Sequence, residues 1–493
     1  MATVKSIAHL LDGSNRHQRK AIQFEPDGKG PLLVLAGAGA GKTQVLTKRL
    51  VYLTLKGIDP RQILALTFTE AAAREMGERA ITLLTAYTDT VKTPLAISTF
   101  HSLAFSLIRE GLGLGAQWSR LGYKSSPKVA EPEELNEVFL ALQKMDLGIP
   151  PNEIRDLCKH IRYRGEKGQA INPAQNKLYQ FFYAQLIERG LIRFDDMVPM
   201  VLYLFTRHED LLKQAQARYH YILVDEFQDT SPDQLEILRL MALPENNLFL
   251  VGDDYQAIYG FRGANKQGIK KLWKLYPEIT LIKLQVNYRS TAKILAYANT
   301  IFTRTQKDMR KKLVPGRQSR RRLFMRNLPV GLHIHVSAQH EASWMQTEMQ
   351  RLVQNQGLQW NEFAVLYRTH ALGSWYQEAL RSLLKPSEFE QIHFKTVHGA
   401  KGLEFPVVFL VGVEEGYLPY GDSKQIADRA HFDEERRLFY VAVTRAEMLL
   451  HVSACRKRWS KDKYEPSKPS NFLMHSGNIL QRLALYWKLY MHD

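Results

Sequence analysis

The residues with the clearest chemistry are AGAGAGKT, Ala36 to Thr43, set between the apolar run PLLVLAG (31–37) and the helical pattern QVLTKRLVYLTL. Glycines at a strand-to-helix turn let backbone N–H groups curl around phosphates at a helix N-terminus, where the aligned peptide dipoles favour an anion. In such a loop Ala36, Gly37, Ala38, Gly39, Ala40 and Gly41 form the cradle, Lys42 reaches the β and γ phosphates, and the Thr43 hydroxyl binds Mg²⁺. Ala36 stands where the general pattern has its first Gly. A second apolar strand, YILVDEFQDT, ends in Asp225 and Glu226. Phosphoryl transfer needs charge neutralisation and a positioned water, so Asp225 is read as holding the Mg²⁺ shell and Glu226 as the base that takes the water's proton. A third run, VGDDYQAIYGFRGA, offers Gln256 as a γ-phosphate sensor and interleaves Tyr255, Tyr259, Phe261 and Arg262, a mixture suited to stacking on unpaired bases and gripping phosphates.

Elements must position these groups, and the chain supplies them. It has 493 residues, enough for about three domains. Lys plus Arg number 67 against 50 acidic residues, a net charge of +17 that favours a polyanionic partner. Cys158 and Cys455 are the only cysteines and are too far apart for a metal spacing, which points to a reducing compartment. No stretch approaches 18 apolar residues, so a cytoplasmic protein without a membrane span is expected. Apolar runs suited to buried strands recur at 31–37, 63–68, 221–226 and 247–253, and again at 332–337, 363–368, 405–412 and 447–453, each alternating with helical patterns. The fold class is therefore α/β, with two parallel sheets flanked by helices. Between His101 and Asp195 strand signals vanish, and EELNEVFLALQKM and QNKLYQFFYAQLIERG read as amphipathic helices of an insertion. The stretch Arg304 to Arg326 holds ten Lys or Arg against one Asp and reads as a solvated helix and loop. His333, His335 and His340 alternate along or follow a strand and read as structural rather than metal-binding.

With these motifs in order, the chain resembles the UvrD/Rep/PcrA family of superfamily 1A DNA helicases from Asn15 to about Phe472. The likeness is carried by NRHQRKA, AGAGAGKT, ALTFTEAAAREM, STFHSLAF, IRFDDM, LVDEFQDT, VGDDYQAIYGFRGA, LQVNYRST, VLYRTHA, TVHGAKGLEFPVVFLVGVEEG and EERRLFYVAVTRAE. The resemblance implies two RecA-like P-loop domains: 1–111 with 192–280 as domain 1A, 112–191 as a helical 1B insertion, and 281–493 as domain 2A. It implies ATP and Mg²⁺ as cofactors, Gln18 at the adenine, Gln44 and Tyr288 at the base, Glu404 at the ribose, and Arg289 and Arg445 as arginine fingers. It places Phe68, Thr99, His101, Tyr259, Phe261, Arg262, His370, Thr396 and His398 along single-stranded DNA. The implied activity is an ATP-dependent helicase moving 3′ to 5′, acting as a monomer on single strands and on single/double-strand junctions, with a loading or stimulatory protein as a further partner and roles in repair or replication.

Some positions depart from the family pattern. Just over a hundred residues separate NYRST from TVHGAKG, where relatives insert a 2B subdomain, so 2B is expected to be absent or reduced to a short loop near 384–392. Gln44 replaces an Arg, Glu70 and Ala71 replace Asn and Lys, and Phe261 replaces Trp. These changes thin the nucleic-acid contacts and leave the hydrolytic residues intact. An ATP-gated binding switch is the alternative, against which Glu226, Gln256, Arg289 and Arg445 argue, since binding alone requires no base or fingers. A single-strand translocase with little unwinding is another, and RNA as track stays open because stacking and backbone contacts discriminate weakly.

Overall fold

The computed structural model describes residues 7–25, 30–87, 94–111, 117–145, 147–160, 163, 173–258, 268–302, 311–316, 328–460 and 463–475. Cα proximity divides the chain into two units. The first comprises the described residues of Met1–Leu33, Thr43–Val251 and Gln267–Thr280; the second comprises those of Val34–Lys42, Gly252–Lys266 and Leu281–Asp493.

The early apolar runs become β1 (Leu32–Ala36), β2 (Ile63–Thr67), β4 (Tyr221–Val224) and β5 (Leu248–Gly252), joined by β3 (Ala96–Thr99) and β6 (Thr280–Leu284). They form a six-stranded sheet in the order β3-β2-β4-β5-β1-β6. β2 pairs parallel with β3 and β4, and β4 with β5. β1, β2 and β5 are buried at every position, as a sheet covered on both faces requires. The helical insertion contains Pro132–Gln143, Pro151–His160 and Pro173–Glu188, the last burying Leu178, Phe182, Tyr183 and Leu186. Short strands Lys128–Val129 and Leu191–Ile192 pair across its base, a feature too brief to show in the residue pattern.

In the second unit, β7 (Gly331–His335), β8 (Phe363–Tyr367), β9 (His393–Thr396), β10 (Phe405–Leu410) and β11 (Ala446–Cys455) make a parallel sheet in the order β7-β11-β10-β8-β9. Alternation sorts its side chains into two cores. Ala364, Leu366, Val408 and Leu410 face one, with Leu438, Phe439 and Val441 of helix Arg429–Val443. Phe363, Val365, Val407 and Phe409 face the other, with Met345, Tyr376 and Leu380. Helix His370–Leu383 packs so closely that a Cβ on Gly373 would lie 2.1 Å from the Tyr367 ring. From Leu383 the chain reaches β9 through residues 384–392, which contain one short helix, Pro386–Phe389, whose Phe389 is buried.

His333 and His335 lie on β7, where His333 Nε2 is 3.1 Å from Nδ1 of His451, while His335 Nδ1 is 3.3 Å from Nδ1 of exposed His340. Burial holds the His451 imidazole down at a pKa of about 3, so its 3.7 Å approach to Glu348 is not an ion pair near neutral pH. Most of the basic stretch 304–326 lies outside the described residues, but Lys311 departs from the expectation of a solvated run. It is buried in the second unit between Asp253 and Asp254 and over the Tyr255 ring at 4.4 Å, because two carboxylates compensate its desolvation. Among the described residues no helix is long and apolar enough to cross a membrane.

Candidate functional site: a nucleotide loop and a nucleic-acid surface

Most of the chemistry-bearing residues follow the C-terminal ends of parallel strands, the side of an open α/β sheet where ligands bind, whereas Glu404 and Arg445 directly precede β10 and β11. In the first unit, Thr43 lies in the first turn of helix Lys42–Leu55 and donates its hydroxyl to Asp225 Oδ2 at 3.1 Å. Asp225 follows β4, its N–H bonded to Leu66 O at 2.9 Å, and its Oδ1 accepts the Glu226 N–H at 2.9 Å. Glu226 has φ 50, a left-handed conformation that costs a non-glycine residue energy and that marks functional turns. Its carboxylate accepts from Gln228 Nε2. A hydroxyl and a carboxylate side by side are hard oxygen ligands, which fits Mg²⁺. Gln18 is buried, and its side-chain carbonyl accepts from Asn15 N at 2.9 Å in a capping box, so that oxygen is committed to the cap of helix Arg16–Ile22. Gln44 is exposed on the first turn of its helix.

In the second unit the loop after Ala36 is held by the segment following β6. Gly37 N bonds Leu284 O at 2.8 Å, Tyr288 N bonds Gly39 O at 2.9 Å, and Asn287 Nδ2 donates to Ala38 O at 2.6 Å. Gly39 (φ +63) must stay without a side chain: a Cβ there would sit 2.6 Å from Asn287 Nδ2 and 2.7 Å from Arg289 Cβ. Gly41 also has positive φ, and Ala38 and Ala40 are buried. Tyr288 and Arg289 therefore stand beside the loop. Arg289 bonds Glu404 through Nε and Thr444 O through Nη1 at 3.1 Å. The two residues assigned to phosphate and ribose are thus ion-paired with each other, and both must release to take up those roles.

Arg445 is 2% exposed and anchored by Val441 O at 3.0 Å and Leu403 O at 2.9 Å, with Nη2 3.4 Å from Gln256 Oε1. Gln256 Nε2 donates to Asp253 Oδ2 at 2.7 Å, Lys401 Nζ donates to Gln256 O at 3.0 Å, and Arg437 Nε donates to Ala257 O at 2.7 Å. Three cations hence pin the backbone and side chain around one glutamine. Asn287, Lys311 and Arg437 were not singled out from the sequence; Asn287 opens NYRST and could have been found there as the polar residue directly before Tyr288 and Arg289.

The nucleic-acid candidates divide between the units. In the first, Phe68 follows β2 and is 37% exposed, and Thr99 ends β3 opposite Thr67. His101 stacks on Phe194 at 3.9 Å, and burial lowers its pKa, favouring a neutral ring. Phe194, 53% exposed, was missed from sequence; its place in IRFDDM was the available signal. Thr99 is 6% exposed, and its hydroxyl caps helix Phe100–Glu110 through Ser102 N at 3.1 Å and donates to Glu70 Oε1 at 2.8 Å. In the second unit His370 opens its helix after β8, exposed, and Thr396 ends β9 opposite Tyr367, with Oγ1 accepting Gly399 N at 3.1 Å. His398 is half-buried in the same turn. Tyr259, Phe261 and Arg262 lie outside the described residues.

Comparison with known proteins follows the same division. Residues 14–277 match the UvrD/REP helicase N-terminal domain, and residues 282–383 and 376–457 match the UvrD-like helicase C-terminal domain. The chain is 33% identical over 453 residues to the ATP-dependent DNA helicase PcrA of Leuconostoc citreum, covering 90% of this chain and 58% of that protein. It is 31% identical over 502 residues to a probable DNA helicase of Mycoplasma pneumoniae, covering 97% and 90% respectively. With PcrA of Staphylococcus aureus the identity is 26% over 653 aligned positions, 94% of this chain and 86% of that one. A match to the N-terminal domain over more than half of the chain, and a relative covered nearly end to end, make this chain a member of the UvrD/Rep family of ATP-dependent DNA helicases.

Proposed function

We propose that the chain hydrolyses ATP to move 3′ to 5′ along single-stranded DNA and to separate strands at single/double-strand junctions. The observation that carries this reading is the Thr43–Asp225 hydrogen bond beside Glu226, which pairs a phosphate loop with a metal ligand and a base. Thr43 and Asp225 would hold Mg²⁺, which when bound neutralises charge on the β and γ phosphates. Lys42 holds the triphosphate, with Ala36 to Gly41 around it. Glu226 takes the proton of the attacking water. Gln256, oriented by Asp253, contacts the γ phosphate, and Arg289 and Arg445 stabilise the charge that builds there, an effect worth about 10³- to 10⁵-fold in related NTPases. Gln18, Gln44 and Tyr288 meet the base and Glu404 the ribose once Arg289 releases it. Phe68, His101, His370, Thr396 and His398 contact the strand, with Tyr259, Phe261 and Arg262 as further contacts from the sequence.

On this reading the chain divides into 1A (1–111 and 192–280), 1B (112–191) and 2A (281–493). The short 384–392 connection supports a missing 2B, as does the C-terminal family match, which comes in two pieces meeting at 376–383. That connection also favours a second outcome, translocation with little unwinding unless a partner loads or stimulates the enzyme. The protein acts as a monomer in the cytoplasm, at the nucleoid, in repair or replication. The test measures ATP turnover against single-strand length beside unwinding of a 3′-tailed duplex. Length-dependent turnover with unwinding supports the helicase, turnover without unwinding the translocase, and turnover indifferent to DNA refutes both.

A further inference from the structure

Two helices start against each other in the first unit. Helix Glu70–Thr85 is capped by Thr69, whose Oγ1 accepts Ala72 N at 3.1 Å, and helix Phe100–Glu110 is capped by Thr99. Where they meet, Thr99 Oγ1 donates to Glu70 Oε1 at 2.8 Å and Ser102 Oγ donates to the same oxygen. Two helix N-termini and two hydroxyl protons converging on one point make an anion site. The chain's own carboxylate fills it. The hydrogen bonds from Ser102 and then Thr99 lower the Glu70 pKa, so the group is ionised at neutral pH. A threonine has one hydroxyl proton, and while Glu70 accepts it Thr99 has none to give a phosphate. Glu70 is exposed, so a strand can reach it. Phe68 lies two residues before it and the His101–Phe194 stack begins two residues after Thr99.

We propose that Glu70 is an internal phosphate mimic: it occupies the donors of Thr99 and Ser102 and must swing out before a backbone phosphate of a single strand can take them. This deepens the proposed function and rests on it. Glu70 then sets how tightly the strand is gripped, keeping this contact weak so that it can be made and broken at each step. Charge and occupancy are separable. Glu70→Gln removes the charge but leaves a carbonyl oxygen to accept both hydroxyls, whereas Glu70→Ala frees the site. Glu78→Ala, at an exposed position of the same helix, removes one charge without touching the site.

The experiment measures fluorescence anisotropy of an oligothymidine of about 15 nucleotides with the full chain over a salt series. Glu70→Ala should bind about tenfold tighter than wild type at low salt, with a log–log slope steeper by about 0.7, the increment for one further phosphate. Glu70→Gln should gain about threefold with the wild-type slope, and Glu78→Ala less than about twofold. Glu70→Ala indistinguishable from Glu78→Ala in affinity and slope overturns the proposal. Should Glu70→Ala melt early, Glu70→Gln decides, an affinity equal to Glu78→Ala being the refuting result. Wild-type protein that binds no single strand defeats the functional reading itself, a failure distinct from the other two.

Discussion

Lys311 offers the sharpest test of how the Gln256 segment is held. Its side chain is 1% exposed, against Asp253 at 0% and Asp254 at 15%. Burial pulls its pKa down, but the two carboxylates more than reverse this and hold the ammonium above its ordinary value. Burial also raises the pKa of Asp254. Lys311→Met keeps the stem and leaves two buried carboxylates without a countercharge. Breaking a buried pair from one side costs about 3–5 kcal/mol, a large part of the 5–15 kcal/mol typical of a domain. The sign with pH follows from linkage. In the variant the Asp254 carboxylate, which burial already raises and which no longer faces the ammonium, titrates above its unfolded value near 3.9, so the folded form keeps its stability below that pH and loses it as pH rises through the raised pKa. The urea midpoint should fall by about 1–2 M at pH 8 and by clearly less at pH 5.5. Because Asp253 orients the Gln256 amide, ATP turnover in the folded variant should drop about 10- to 100-fold with little change in KM. A loss under about 1 kcal/mol at pH 8, or one of equal size at both pH values, refutes the reasoning.

Other residues give separate tests. Lys42→Ala should abolish ATP turnover, while Glu226→Gln should still bind ATP and single strands with turnover down about 10²- to 10⁴-fold; unchanged rates in either would remove the site assignment. Phe194→Ala should weaken single-strand binding by about 1–3 kcal/mol while leaving turnover without DNA intact, and an unaltered DNA affinity would take the His101–Phe194 stack off the track. His451, buried with its pKa held at about 3, stays neutral in the fold while the unfolded chain takes a proton below about 6.5. Its share of stability is present above that pH and drains away as pH falls from about 6.5 toward 3, so urea midpoints of wild type should decline from pH 7 to pH 5 more steeply than those of His451→Phe.

Contiguous residues were enough for the parts of this protein whose physics is local. Eight runs became strands, most of them because a strand covered on both faces must be apolar throughout, whereas β7 lies at a sheet edge with all but His335 only half-buried. AGAGAGKT announces its loop because phosphate binding uses backbone atoms in sequence. The edge strands β3 and β9 escaped notice, since AIST and HFKT are only partly buried and carry no apolar run. Neither could residue types along the chain tell that Arg289 is paired with Glu404, that Arg445 is buried beside Gln256, that one lysine of a basic run is interred between two aspartates, or that Glu70 caps the donors of Thr99. Each of those is a contact between residues 29 to 189 positions apart. Burial and partner choice at such separations are settled only when the strands take their order, since a charge in the interior must find its compensation among whatever groups the closed fold brings within hydrogen-bonding reach.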